Sequence, residues 1–291
     1  MLDNQFRILS WNTAKRVKYT AEQYLYLKKL EPDVIALQEV LPKSVNIWRE
    51  VLSADYSNII SSFDLAPDHS ILKRKRMFGQ LIASKFPVTP IPPDRMNVPW
   101  QERVLSMYLY TGKKKIRFIT THIPPGSSNG WIKIQMIKGL VESLIFNESS
   151  HQILCGDFNT PRSESSDFGV VTFGQRLTKS GKPTVRRSFR GGLGQDWDRW
   201  ERALFEELPL HGIRDAFRTM HPQSYDAYSW SFTRKGKIFR NRFDHFFVSA
   251  GLEIKSCDFS NDQGNLSDHS PVLVVVGGKG MQDDRHQIKE P

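Results

Sequence analysis

Asp157 and Asn159 stand two apart at the end of the apolar run Gln152-Ile153-Leu154-Cys155-Gly156-Asp157-Phe158-Asn159. In an extended chain, residues two apart face the same way, so a carboxylate and an amide share one direction there. Other runs follow the same pattern. Ile8–Asn12 ends in Asn12, Asp33–Glu39 ends in Glu39, and Thr120-Thr121-His122-Ile123-Pro124 breaks at His122. Arg242-Phe243-Asp244-His245 opens a strand with Asp244, and Leu266-Ser267-Asp268-His269-Ser270-Pro271 opens one with Asp268 and His269. Any one of these polar residues is an ordinary turn former or helix cap. Several in succession, each attached to a strand end, are hard to explain as independent turns. Brought together, Glu39, Asp157, Asp244 and Asp268 would repel one another. A hard divalent cation relieves that repulsion, and oxygen ligands with an amide select Mg²⁺ or Mn²⁺ over zinc.

Elements that could carry these residues recur along the chain. Apolar, β-branched and aromatic runs predict strands at Phe6–Trp11, Val34–Glu39, Gly79–Ser84, Val104–Tyr110, Ile116–His122, Gln152–Asp157, Phe243–Ser249, Leu252–Phe259 and Pro271–Val276. Tyr110-Thr111-Gly112-Lys113 reads as a hairpin turn. Helical spacing appears at Ala21–Leu30, Lys43–Leu52, Asn129–Phe146 and Asp198–Leu208, and the Met and Trp residues on those stripes read as core. Many strands with fewer helices, some strands paired as hairpins, point to an α/β (α+β) fold. Its two mixed sheets pack face to face with helices outside. Arg162–Trp197 is the most irregular stretch, basic and poor in apolar residues, and reads as a long functional surface excursion. A single domain over residues 1–276 is expected, followed by a disordered polar tail at 277–291.

The 291 residues suffice for a sizeable core, and 25% charged with 39% hydrophobic residues is an ordinary globular composition. No apolar run reaches the ~20 residues of a membrane helix. The N-terminus lacks a basic-then-apolar leader, so an intracellular, cytoplasmic protein without a membrane is expected, and a monomer. The two cysteines, Cys155 and Cys257, sit in apolar strands and read as reduced core thiols. The net charge of +10 favours a polyanionic partner.

Ser10-Trp11-Asn12, Leu37-Gln38-Glu39-Val40, Gly156-Asp157-Phe158-Asn159, Arg242-Phe243-Asp244-His245 and Ser267-Asp268-His269-Ser270-Pro271 together resemble the signature blocks of the endonuclease/exonuclease/phosphatase superfamily. The resemblance runs from about Phe6 to Val276 and implies the DNase I-like four-layer α/β/β/α sandwich. It also implies roles. Glu39 would be the main metal ligand, with Asn12 beside it as ligand or supporting amide and Asp268 as a second metal or water ligand. Asp157 would be the general base, and Asn159 would hold the water or a phosphate oxygen. His269, held by Asp244, would donate to the phosphate, as would His122. Leu210–Arg218 followed by Ala227-Tyr228-Ser229-Trp230 looks most like exonuclease III and the apurinic/apyrimidinic endonucleases. Those enzymes usually carry tyrosine where His122 stands. They also tend to have an acidic residue two positions after the asparagine, where this chain has Ala14.

Basic clusters lie at Lys73–Arg76, Lys113–Lys115, Arg186-Arg187 and Arg234–Arg242. In the last, Lys237, Arg240 and Arg242 adjoin the catalytic strand and read as substrate contacts, and Trp230 reads either as a stacking platform or as a core aromatic. The expected activity is thus a Mg²⁺-dependent phosphodiesterase on nucleic acid, DNA favoured, of repair type. The alternative is a phosphoesterase of the same superfamily acting on RNA, phosphotyrosyl-DNA ends, inositol phosphates or lipid headgroups. A non-catalytic binding module is disfavoured, because every principal catalytic position carries a competent side chain.

Overall fold

The computed structural model describes residues 5–65, 72, 76–112, 114–147 and 149–278. Most of the basic run at Lys73–Arg76, Lys113 of the hairpin turn, and the tail beyond Gly278 lie outside the described residues.

Two six-stranded mixed sheets form the centre. The first contains β1 (Phe6–Asn12), β2 (Val34–Val40), β3 (Asn58–Ser61), β4 (Gly79–Ser84), β19 (Leu252–Phe259) and β20 (Val272–Gly278), in the order β19-β20-β1-β2-β4-β3. The second contains β5 (Val88–Ile91), β6 (Val104–Thr111), β7 (Lys114–His122), β8 (Gln152–Asp157), β15 (Ile213–Asp215) and β18 (Asp244–Ser249), in the order β15-β18-β8-β7-β6-β5. The central strands β1, β2 and β8 are buried almost throughout, as strands covered on both faces must be, and so read as continuous apolar runs.

Three apolar clusters mark the interfaces between four layers. Ile8, Ala36, Met107, Phe118, Ile153, Phe246 and Val274 fill the space between the sheets. Helices α1 (Thr20–Lys29) and α2 (Val45–Leu52) cover the first sheet through Leu27, Trp48 and Leu52. Helices α5 (Ile132–Ile145) and α6 (Gly194–Leu210) cover the second through Met136, Leu140, Leu144, Leu204 and Leu208. The Met and Leu stripes are therefore core, as their spacing predicts. Cys155 and Cys257 are both buried free thiols in the inter-sheet core.

The structure corrects several boundaries. The helix expected from Asn129 begins at Ile132, because Gly130 takes φ 56° and separates off the one-turn helix α4 (Gly126–Asn129). The last strand continues through Gly277 and Gly278, which pair with Glu253 and Leu252, so the sheet extends past the expected end of the domain at 276. The excursion is ordered as three small hairpins. They pair β9 (Ser163–Ser165) with β10 (Gly169–Val171), β11 (Gln175–Leu177) with β12 (Pro183–Val185), and β13 (Ser188–Phe189) with β14 (Gly192–Leu193). Its last residues already belong to α6. A further hairpin pairs β16 (Trp230–Arg234) with β17 (Lys237–Asn241) where the sequence suggests a basic loop.

Candidate active site

Strand register decides what meets. In the second sheet His122 of β7 lies opposite Asp157 of β8, and Asp157 lies opposite Asp244 of β18. Three adjacent strands thus present imidazole, carboxylate and carboxylate at one level. The first sheet supplies Asn12, at the end of β1, and Glu39 of β2. Glu39 sits at a register shift between Leu37 and Val40 and has φ 56°. This bulge re-aims its carboxylate out of the strand's alternation, a device often found beside functional sites.

Asp157 is the hub. Its Oδ2 accepts from Asn12 Nδ2 at 2.9 Å and Asn159 Nδ2 at 3.3 Å, and its Oδ1 accepts from the Asn159 backbone N–H at 2.9 Å. Burial still pushes its carboxyl up to about 7, with Asp244 and Glu39 adding to the rise and His269 opposing it. Asn12 is placed as an orienting amide, since its Oδ1 accepts from the Ala14 backbone N–H at 2.9 Å while its nitrogen holds Asp157. Asn159, at φ 51°, also donates to the Ile123 carbonyl at 2.9 Å.

Two histidines flank this carboxylate. His269 Nδ1 lies 2.7 Å from Asp244 Oδ2, and its Nε2 lies 3.8 Å from Asp157 Oδ2. Burial works against its charge, yet Asp244 and Asp157 outweigh burial and raise it to about 10, so the ring is an imidazolium. His122 is the opposite case. Burial and the Arg103 guanidinium lower it well below its ordinary value. Arg103 Nη1 lies 2.5 Å from His122 Nδ1, which makes Nδ1 the acceptor and leaves the proton on Nε2. That nitrogen faces Glu39 Oε1 and Asp157 Oδ2, each at 3.6 Å. Two N–H donors, one charged and one neutral, therefore converge on one carboxylate oxygen.

Ser267, Trp11 and Ser229 fix these elements in place. Ser267 Oγ donates to the Asn12 carbonyl at 2.7 Å, and Trp11 Nε1 donates to the His269 carbonyl at 2.8 Å. Ser229 Oγ accepts from the backbone N–H groups of Phe243 and Asp244, both at 2.9 Å.

The expected members separate into four groups. His122, Asp157, Asn159, Asp244, His269, Asn12 and Glu39 come together. Asp268 lies exposed at the rim, where its Oδ2 accepts from Trp230 Nε1 at 3.2 Å. Trp230 lines the same cavity and stacks on Phe232 at 5.9 Å. Lys237 and Arg240 stand on the exposed hairpin. Lys237 has the strand parity of Phe239 and Asn241, which line the cavity, and Arg240 faces the other way over Tyr228 at 4.6 Å.

Arg242 is a correction. It is 3% exposed, and it donates to Glu164 at 2.7 and 2.8 Å and pairs with Asp215 Oδ2 at 2.7 Å. A buried guanidinium must be fully paired, and this one joins the excursion to the strand edge instead of meeting substrate.

Several residues gave no motif. Arg103 orients His122. Lys133 and Glu201 form a buried ion pair, in which Lys133 Nζ also donates to the Asn159 carbonyl at 2.8 Å and Glu201 accepts from Phe173 N at 2.6 Å. A signal existed for this pair. Lys133 falls on the stripe of Met136, Leu140 and Leu144, and Glu201 on that of Trp197, Leu204 and Leu208, so each charge interrupts an apolar helix face.

Among the described residues, Asp157, Asp244 and His269 each offer an atom within 4.8 Å of the others, a group that could hold a metal ion. Asp244 Oδ1 is buried without a hydrogen-bond partner, and Asp157 bears the cost of a crowded buried charge. Both features fit a nearby cation, and the surplus of carboxylate and amide oxygens fits a hard one. No helix among the described residues is long and apolar enough to cross a membrane.

Residues 9–269 match the Endonuclease/Exonuclease/phosphatase family. The chain belongs to that family. It is 25% identical over 296 residues to an exodeoxyribonuclease of Bacillus subtilis (strain 168), covering 93% of this chain and 99% of that one. Among solved structures, an AP endonuclease from Archaeoglobus fulgidus superposes with a TM-score of 0.64 at 17% identity, covering 92% of this chain and 98% of that one. A humanized D. rerio TDP2 also gives 0.64 at 16% identity, with 94% and 99% covered. The DNase I-like sandwich expected of the family member is thus the fold observed.

Proposed function

We propose that this family member is an intracellular Mg²⁺-dependent phosphodiesterase that cleaves DNA in repair, with Mn²⁺ as the other candidate ion. The observation that carries this reading is the meeting of Asp157, the Asp244–His269 pair and neutral His122 at adjacent strand ends, with Glu39 facing them from the other sheet. Relatives named for DNA cleavage support DNA as the substrate.

His269 Nδ1 is held by Asp244 at 2.7 Å, its Nε2 stands 3.8 Å from Asp157 Oδ2 and is left to donate, and its charge disfavours it as a metal ligand. Glu39 is the better holder, with a 15% exposed carboxylate in the cavity and Asp268 at the rim. When bound there, the cation neutralises charge on the phosphate and on the leaving oxygen. The protein's own groups do the rest. Asp157 takes the proton of the attacking water as general base, and the Asn159 amide orients that water. His122 Nε2–H and imidazolium His269 donate to the phosphate oxygens as negative charge builds on them. Asp244 keeps the His269 ring oriented and charged. Lys15 Nζ, 3.5 Å from Glu39 Oε2, adds a positive group beside the phosphate's approach.

The test offers abasic duplex, intact plasmid, single-stranded DNA, RNA and an inositol phosphate, each with Mg²⁺ and with chelator. Metal-dependent cleavage of a DNA substrate is expected. Turnover of an inositol phosphate without cleavage of any nucleic acid would reject DNA as the substrate.

A further inference from the structure

The turn that leaves β1 carries a charged side chain into the site. Ala14 and Lys15 take φ 52° and 60°, two successive left-handed residues, neither of them glycine. Such backbone is uncommon and persists only where its surroundings over-determine it. Here the turn is tied down beside Glu39. Thr13 donates to the Gln38 carbonyl through its backbone N–H at 3.1 Å and its hydroxyl at 3.0 Å. The Ala14 N–H donates to Asn12 Oδ1 at 2.9 Å, and the Lys15 carbonyl accepts from the Val17 N–H at 2.9 Å. Ala14 offers the cavity only a methyl group, and the next residue brings an ammonium back to the end of β2.

Lys15 Nζ lies 3.5 Å from Glu39 Oε2 and 4.7 Å from the centre of the Phe78 ring. Its side chain is 48% exposed and lines the cavity with Glu39, His122 and Asp157. The other basic side chains of that cavity are engaged elsewhere. Arg16 donates to the Asn265 carbonyl, Lys133 to Glu201, and Arg190 to the Ser127 carbonyl at 3.1 Å. Glu39 meets Lys15 through one oxygen and His122 Nε2, at 3.6 Å, through the other. Both contacts are longer than an ordinary charge-assisted hydrogen bond, so the carboxylate keeps room for a further cation. Asp157 is more committed, since both its oxygens accept hydrogen bonds from Asn12 and Asn159.

We propose that Lys15 is a resident cation of the active site. It shares the Glu39 carboxylate with a single divalent ion and supplies the positive charge that a second ion would otherwise bring to the phosphate. The inference deepens the proposed function and rests on its metal reading. A two-ion site places divalent charge on both sides of the reacting phosphate and needs carboxylates enough to hold both ions. The open carboxylates here are Glu39 and, at the rim, Asp268, a holding set for one ion. A fixed ammonium beside Glu39 has two consequences of opposite sign. It repels the divalent ion and weakens its binding, and it attracts the phosphate as negative charge builds there and so aids turnover. A lysine that served only the fold would not move these two quantities in opposite directions.

The test titrates Mn²⁺ alone into the full chain, without substrate, and reads the free ion by electron paramagnetic resonance. The parent should bind one Mn²⁺ per chain. Lys15→Met should bind one ion about fivefold more tightly, the scale of one exposed charge pair. Lys15→Arg keeps the charge and should bind it like the parent. At saturating Mn²⁺, on a substrate the parent cleaves, Lys15→Met should turn over roughly 10- to 100-fold more slowly, and Lys15→Arg should recover most of that loss. Circular dichroism checks that each variant is folded, which the exposure of Lys15 favours. Two Mn²⁺ ions bound by the parent would overturn the inference. So would an affinity in Lys15→Met equal to or weaker than the parent's, or parent-like turnover by Lys15→Met at saturating ion. The two levels fail separately. No Mn²⁺ binding by the parent rejects the metal reading beneath the inference, whereas one bound ion with unchanged affinity in Lys15→Met rejects Lys15 alone.

Discussion

Two buried charged clusters begin two residues apart on the chain, at Arg242 and at Asp244, and they have opposite characters. Around Arg242 every charge has a partner. Glu164 accepts two guanidinium hydrogen bonds, Asp215 Oδ2 forms an ion pair with the same group at 2.7 Å, and Arg218 pairs with Glu164 at 3.1 Å. Burial raises Glu164 and Asp215, yet Arg242 outweighs it and holds both below the usual carboxylate range. Around Asp244 and Asp157 the balance is reversed, since burial and neighbouring carboxylates push Asp157 up to about 7. One cluster is arranged for stability. The other keeps a costly crowd of acids together, which evolution tolerates where the charge has work to do. The same sequence signal, a polar residue beside a strand, produced both.

The largest expected contrast is in turnover. Asp157→Asn and Glu39→Ala should each reduce it by roughly 10²–10⁴-fold, and neither should lower the melting temperature. Near-normal turnover in Asp157→Asn would break the assignment of Asp157 as base. Arg242→Met should do the reverse. It removes the main partner of two buried carboxylates, leaving Glu164 with Arg218 alone and Asp215 with the Arg218 backbone N–H and His245, at a cost of about 3–5 kcal/mol and a fall in Tm of roughly 10 °C by calorimetry. An unchanged Tm would show that the Arg242 cluster does not hold the excursion.

Acid sharpens the same comparison. Glu164 and Asp215 have lowered folded values, so the stability they contribute is complete above their unfolded values of about 4 and is lost as the pH falls below them. Melting temperature between about pH 6 and 3 should therefore fall more steeply in the parent than in Arg242→Met. Parallel curves would contradict this. The smallest effect belongs to the hairpin. Lys237→Ala should weaken DNA binding across all sequences and reduce the salt slope by about 1. A change confined to one sequence would point to base reading instead.

How much of this was legible depended on range. Asn12, Glu39, Asp157 and His269 could be read because each interrupts an apolar strand at its end, a local signal. Arg242 was misread because its partner Glu164 stands far away in the chain, and a count of basic residues is blind to partners. The excursion folds into strands of two or three residues, too short for any periodicity. The β16–β17 hairpin turns at Lys235 and Gly236, both at positive φ, and Lys-Gly is a weaker turn signal than Asn-Gly. The charges at Lys133 and Glu201 were visible on their helix faces. Their meaning came only when α5 and α6 packed together against the Asn159 loop.

Cleavage of a defined DNA substrate, followed with Mg²⁺, after chelation, and after Mg²⁺ is restored, tests the central claim most directly. Activity should vanish on chelation and return with the ion. Cleavage that persists at full rate in chelator would contradict the account.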